Sequence, residues 1–128
     1  MPERFRSIYA HAVEVAPGER LLFLSGQVGV RPDGAPAEGF AAQCEAAMAN
    51  VEALLHTAGG TPAHLVKITY LLTDAADLPA LVEARQARWR GASPPAVTVM
   101  VVAALANPGF RIEIEAVAAL PSAGRGDP

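Results

Sequence analysis

Residues Ala96–Leu120 read AVTVMVVAALANPGFRIEIEAVAAL, two apolar runs on either side of Asn107-Pro108-Gly109. The first run, Ala96–Leu105, carries no charge, and its valines suit a pleated backbone buried on at least one side. Asn-Pro-Gly makes a turn, because proline presets φ and glycine accepts left-handed backbone. From Phe110 the period is two: Phe110, Ile112 and Ile114 alternate with Arg111, Glu113 and Glu115. Successive strand side chains point to opposite faces, so this segment has one apolar side and one polar side. From about Pro95 to Ala118 the chain reads as a long, nearly uncharged strand pair.

Working back from it, Leu78–Arg90 is expected to be a helix, with Asp74 and Asp77 as N-cap candidates and Pro79 tolerated in the first turn. Its inner face is Leu78, Leu81, Val82, Arg85 and Trp89. His64–Thr73 (HLVKITYLLT) has the β-branched content of a strand, Lys67 and Thr69 alternating with Ile68 and Tyr70. Phe40, Cys44, Ala47, Met48, Val51, Leu54, Leu55 and Ala58 recur at helical spacing, and Gly59-Gly60 ends that helix. Arg31–Glu38 (RPDGAPAE) is a loop. Arg20–Val30 (RLLFLSGQVGV) follows a turn at Ala16–Glu19 and reads as a buried strand, with Ile8–Val15 pairing to it as a hairpin. The order is ββαβαββ, an α/β (α+β) fold with both helices on one face of a mixed sheet. The other face lacks a covering layer, and exposed aliphatic side chains there favour subunit packing.

A chain of 128 residues, 52% of them hydrophobic, supports one core and one domain, 1–120. The small, polar tail at 121–128 is expected to be disordered. Net charge is −3 with basic residues scattered from Arg4 to Arg125, which argues against a nucleic-acid partner. The single cysteine, Cys44, excludes an intramolecular disulfide and a multi-cysteine zinc site. No apolar run reaches the roughly 18 residues of a membrane span. The start of the chain lacks a signal-peptide pattern, so no membrane partner and a cytoplasmic location are expected.

Nucleophile elbows, phosphate-binding glycine loops and dinucleotide fingerprints are absent from the sequence. The histidines, His11, His56 and His64, fall in three different elements without ligand spacing, so no metal is assigned. Ser25-Gly26-Gln27 interrupts an apolar strand, where glycine makes either a bulge or room for a group to approach the backbone. Glu113 and Glu115 point to the same side as Arg111, either as a solvated polar face partly neutralised by the arginine or, at a cleft, as a water-holding general base. Arg85, Arg88 and Arg90 near Trp89 are a carboxylate clamp or a solvated helix face.

Tyr9, LLFLSGQVGV with Asp33-Gly34 after it, Gln43 and Asn50 in the first helix, LVKITYLLTDAADL, and RIEIEAVA together resemble the Rid superfamily, the YjgF-like reactive intermediate deaminases. The resemblance runs from about Ile8 to Ala119. It implies a chorismate-mutase-like fold and a homotrimer with a small-metabolite cleft at each subunit interface. It also implies hydrolysis of enamines and imines such as 2-aminoacrylate to a 2-keto acid and ammonia, with no cofactor and no metal. Carried over position by position, the family's cleft maps to Tyr9, Ser25, Gly26 and Glu113, with Glu113 positioning the water as the catalytic residue. The family's arginine in Pro-Ala-Arg-Ser is missing: the segment is Pro95-Ala96-Val97-Thr98, which puts Val97 and Thr98 in the substrate site. The family's second-helix asparagine is replaced by Val82 or Glu83. Valine cannot make the charge-assisted bonds that hold a carboxylate, each worth about 1.5–3 kcal/mol. Arg85, one turn past Val82, is the candidate substitute. The expected activity is therefore Rid-like hydrolysis of a more apolar imine or enamine, with a non-catalytic metabolite-binding or protein-interaction module as the alternative.

Overall fold

The computed structural model describes residues 9–90 and 93–122. Within them lie β1 (Arg20–Gln27), α1 (Phe40–Thr57), β2 (Leu65–Leu72), α2 (Leu78–Arg88), β3 (Ala96–Val101) and β4 (Ile112–Leu120). The helical spacing of α1 does what it predicts: Phe40, Cys44, Ala47, Met48, Val51 and Leu55 are buried, although Leu54 is turned outward. Gly60 N–H donates to Leu55 O at 2.7 Å and Gly59 N–H to His56 O at 3.0 Å, while Gly59 takes φ +87°. This is a Schellman end, which needs a residue free of Cβ strain at Gly59. Asp74 caps a short 3₁₀ turn by accepting from Ala76 N, and α2 follows with Pro79 in its first turn. No helix among the described residues is long and apolar enough to cross a membrane.

The sheet order is β1-β4-β2-β3, with β4 antiparallel to both β1 and β2, and β3 parallel to β2. The C-terminal strands are therefore not partners, as a hairpin reading of Ala96–Leu120 would have them. Helix α2 supplies the crossover that parallel strands require and sets β3 beside β2, and β4 returns between β1 and β2. β3 also stops at Val101 rather than Leu105. The expected N-terminal hairpin is likewise replaced. Ala10 N–H donates to Pro95 O at 2.8 Å and bridges in parallel to Ala96, so this segment flanks β3 and not β1. It partners backbone groups that the edge of β3 would otherwise leave open. Ile8 and the tail from 123 lie outside the described residues.

Both helices lie on one face and α1 touches α2, as the order of elements predicts. That face buries Leu24, Ile68, Tyr70, Leu72, Ile112, Ile114 and Ala116. The opposite face is open, and on it Phe23 is 73% exposed, Leu21 52% and Met100 47%. Trp89 Nε1 and Arg88 Nε each donate to Glu52 Oε2 at 2.7 Å, fastening the end of α2 to α1. Burial of Glu52 acts to raise its carboxyl, but the hydrogen bonds from Arg88 and Trp89 outweigh it and hold the group below its ordinary range.

Gln43, 2% exposed, staples the loops to α1. Its Nε2 donates to Ala37 O at 3.0 Å and Gly109 O at 2.9 Å, and its Oε1 accepts from Arg111 N at 2.7 Å. Gly29 packs on the backbone of the same residue, where an added Cβ would lie 2.6 Å from Gln43 Cα. Backbone cannot swing aside as a side-chain end can. Gly29→Ala is therefore expected to cost about 1–3 kcal/mol of stability, read from the urea midpoint.

Candidate functional site

The register of β1 against β4 slips between Leu24 and Gln27, so Ser25-Gly26 is a bulge, held in part by Gln27 Nε2 donating to Ser25 O at 3.0 Å. The close approach that glycine permits is also present, and the approaching group belongs to this chain. An added Cβ on Gly26 would collide with Glu113 Oε2 and lie 2.7 Å from Glu113 Cγ. Two residues 87 positions apart in the chain thus form one unit, a carboxylate laid over a bare backbone.

Glu113 is half-buried on the open face, level with Leu71 of β2 and Met100 of β3. The next row on this face holds Glu115, Thr69 and Thr98. Ser25, Lys67, Thr69 and Glu115 line a hollow of about 260 Å³ there, with Phe23 and Val117 at its apolar side. Lys67 Nζ donates to Thr98 Oγ1 at 2.6 Å. Neither Lys67 nor Thr69 was singled out by the sequence for this surface. Their strand alternation showed which residues they share a face with, but not that β4 would bring Glu115 alongside.

The remaining candidates lie elsewhere. Val97 points to the opposite face from Thr98, pairs in register with the 2%-exposed Ile68, and packs against the core beneath the helices. Arg85 is buried on that side as well, its guanidinium carbon 5.2 Å from the centre of the Tyr70 ring. Tyr70 is fully buried, its hydroxyl has no hydrogen-bond partner among the described residues, and burial pushes its ionisation up. Arg111 does not neutralise Glu113 and Glu115, contrary to the sequence expectation. Its Nη2 binds Asp77 Oδ1 and Oδ2 at 2.8 and 3.0 Å, because Arg111 lies just before β4, where Gln43 holds its backbone. Tyr9 is half-buried next to Ala10 at the edge of β3 and stacks on His11, ring centres 5.9 Å apart. The structure therefore gathers Ser25, Gly26, Thr98 and Glu113 on the open face, and sets Val97 and Arg85 on the helix face.

His64 and Cys44 lie away from this face. His64 Nδ1 accepts from Thr61 N at 2.9 Å in a capping box. Cys44 lies at the wall of a groove of about 490 Å³ between α1 and α2, and burial raises its thiol to about 11, which leaves it protonated at neutral pH.

A two-helix layer on one face of a mixed four-stranded sheet, with a carboxylate seated in a glycine bulge on the uncovered face, defines a class of small α+β domain. The family model described as Endoribonuclease L-PSP matches residues 3–120. The RutC family protein of Aquifex aeolicus (strain VF5) is 38% identical over 112 residues, covering 85% of this chain and 87% of that protein. The 2-iminobutanoate/2-iminopropanoate deaminase of Mus musculus is 36% identical over 112 residues, covering 86% and 79%. Among solved structures, YyfB of the conserved Rid protein family from Yersinia pestis superposes with a TM-score of 0.82 at 34% identity, over 94% of this chain and 92% of that one. The chain belongs to the Rid family, the one the Endoribonuclease L-PSP model describes.

Proposed function

We propose that the chain is a cofactor-independent hydrolase of imine or enamine intermediates, acting in the cytoplasm as a homotrimer with small-metabolite clefts between subunits, and favouring substrates without a carboxylate. The observation that carries this reading is the Glu113 carboxylate fixed over Gly26 on the open face, with no ion pair to any described residue. A carboxylate with no cation beside it is placed to take a proton from water. A deaminase of imines is among the relatives, which supports the reaction class.

Glu113 takes a proton from water as the water oxygen adds to the C=N carbon and passes it to the nitrogen, giving a neutral carbinolamine and restoring the carboxylate. Glu113 then takes the proton of the carbinolamine hydroxyl and delivers it to the amine nitrogen, so that the C–N bond breaks, the carbonyl forms and ammonia leaves. An enamine first takes a proton at its β-carbon to become the imine. Atoms balance as imine plus water giving carbonyl plus ammonia, with Glu113 carrying the proton. The preference for uncharged substrates rests on the arginines. The family resemblance puts Val97 in place of the carboxylate-binding arginine, and its side chain faces the core; Arg111 is bound to Asp77 and Arg85 is stacked on Tyr70 under α2, so none of these three positions brings a guanidinium to the open face.

The test is ammonia release from imines generated in situ by amine and amino-acid oxidases. Acceleration over spontaneous hydrolysis is expected for the uncharged imine, and less for 2-iminopropanoate. A larger acceleration for the carboxylated imine overturns the substrate preference. If neither is accelerated while a metabolite raises the melting temperature, the chain is a binding module and the hydrolase reading fails.

A further inference from the structure

The open face carries two opposite charges that do not satisfy each other. Lys67 on β2 and Glu115 on β4 line the same hollow, one row apart in the register Lys67↔Val117 and Thr69↔Glu115. Lys67 nevertheless reaches to the neutral Thr98 on β3, and Glu115 has no ion-pair partner among the described residues. Around them the face is apolar, with Phe23 at the rim of the hollow and Leu21 and Met100 beyond it.

These features pull in opposite directions for a lone subunit. The exposed aromatic and aliphatic side chains favour covering the face, whereas burying an unpaired ammonium and an unpaired carboxylate is costly. A second copy of the same face resolves the conflict, since it presents a carboxylate for the ammonium and an ammonium for the carboxylate. A small neutral ligand would leave both charges unmet. A cyclic assembly makes this contact head to tail, so each subunit offers Lys67 to one neighbour and Glu115 to the other, and the ring closes with every charge paired.

We propose that the subunits interlock through Lys67 of one subunit and Glu115 of the partner subunit, with Phe23 entering the neighbouring hollow. This rests on the homotrimer reading and adds to it the residues that hold the trimer. Neither charge belongs to the proposed catalytic unit of Gly26 and Glu113.

The experiment compares the full-length wild type with K67E, E115K, the K67E/E115K double variant and F23S by sedimentation equilibrium, with circular dichroism to follow folding. Each single charge reversal is expected to weaken assembly by at least about tenfold through like-charge contact. F23S should weaken it with the charges intact. Restored assembly in the double variant supports the interlock even if the single variants fold poorly, because the swapped pair regains complementarity. Single reversals that assemble like wild type, or a double variant that stays dissociated, overturn it. A wild type that is monomeric at every concentration fails the homotrimer reading itself, whereas a trimer insensitive to these reversals removes only the interlock.

Discussion

Glu113→Gln is expected to lower the rate of imine hydrolysis by about 10²–10⁴-fold, the range that a positioned general acid/base contributes. Glutamine keeps the shape that fills the space over Gly26, so the bulge should stay as it is. It cannot accept a proton from water, and it cannot return one to the leaving nitrogen. Stability should change little, because Glu113 holds no ion pair among the described residues whose loss would strand a buried charge. The measurement is kcat on the best uncharged imine together with the melting temperature. Glu38→Gln, in the exposed loop before α1, serves as the control for loss of one negative charge. Turnover that survives Glu113→Gln within a few-fold would remove the acid/base role.

Gly26→Ala should be the second most damaging change to activity, at about a hundredfold, since displacement of a catalytic group by about 1 Å has that cost. The new methyl would occupy the space of the Glu113 carboxylate. That carboxylate is the end of a flexible side chain and can move, so the fold should tolerate the substitution. Three residues along, Gly29 meets the Gln43 backbone instead, and there the expected penalty falls on stability. The pair separates the two roles of glycine in one segment: Gly26→Ala should lower kcat with a nearly unchanged melting temperature, and Gly29→Ala the reverse. In the Gly26→Ala/Glu113→Gln double variant the losses should not add, because both act through one carboxylate. Additive losses would show that Gly26 acts independently of Glu113.

The sequence by itself determined what depends on near neighbours in the chain. The 3.6-residue spacing of α1, its Gly59-Gly60 end, the alternation of β2 and of β4, and the turn chemistry of 31–38 all follow from local backbone geometry and the side a residue faces. The family could also be read, because several short patterns recur in a fixed order over most of the chain. Glu113 and Gly26 were each identifiable as candidates on those grounds. Their contact was not, since it depends on which residue of β4 falls opposite the β1 bulge.

Tertiary structure decided the relations between distant segments. Ala96–Leu120 shows two strands and a turn, but a 10-residue connection from Val102 to Arg111 lets them be neighbours or lets β4 slip between β1 and β2. The α2 crossover settles it by holding β3 against β2. Alternation alone assigns Arg111 to the side of Glu113. The Gln43 staple on its backbone and the carboxylate of Asp77 send it elsewhere. Val97 is the sharpest case. The sequence shows only an apolar residue in a β-rich run, and the pairing with Ile68 shows that the side chain packs against the core under the helices, because strand register, not residue type, chooses the face.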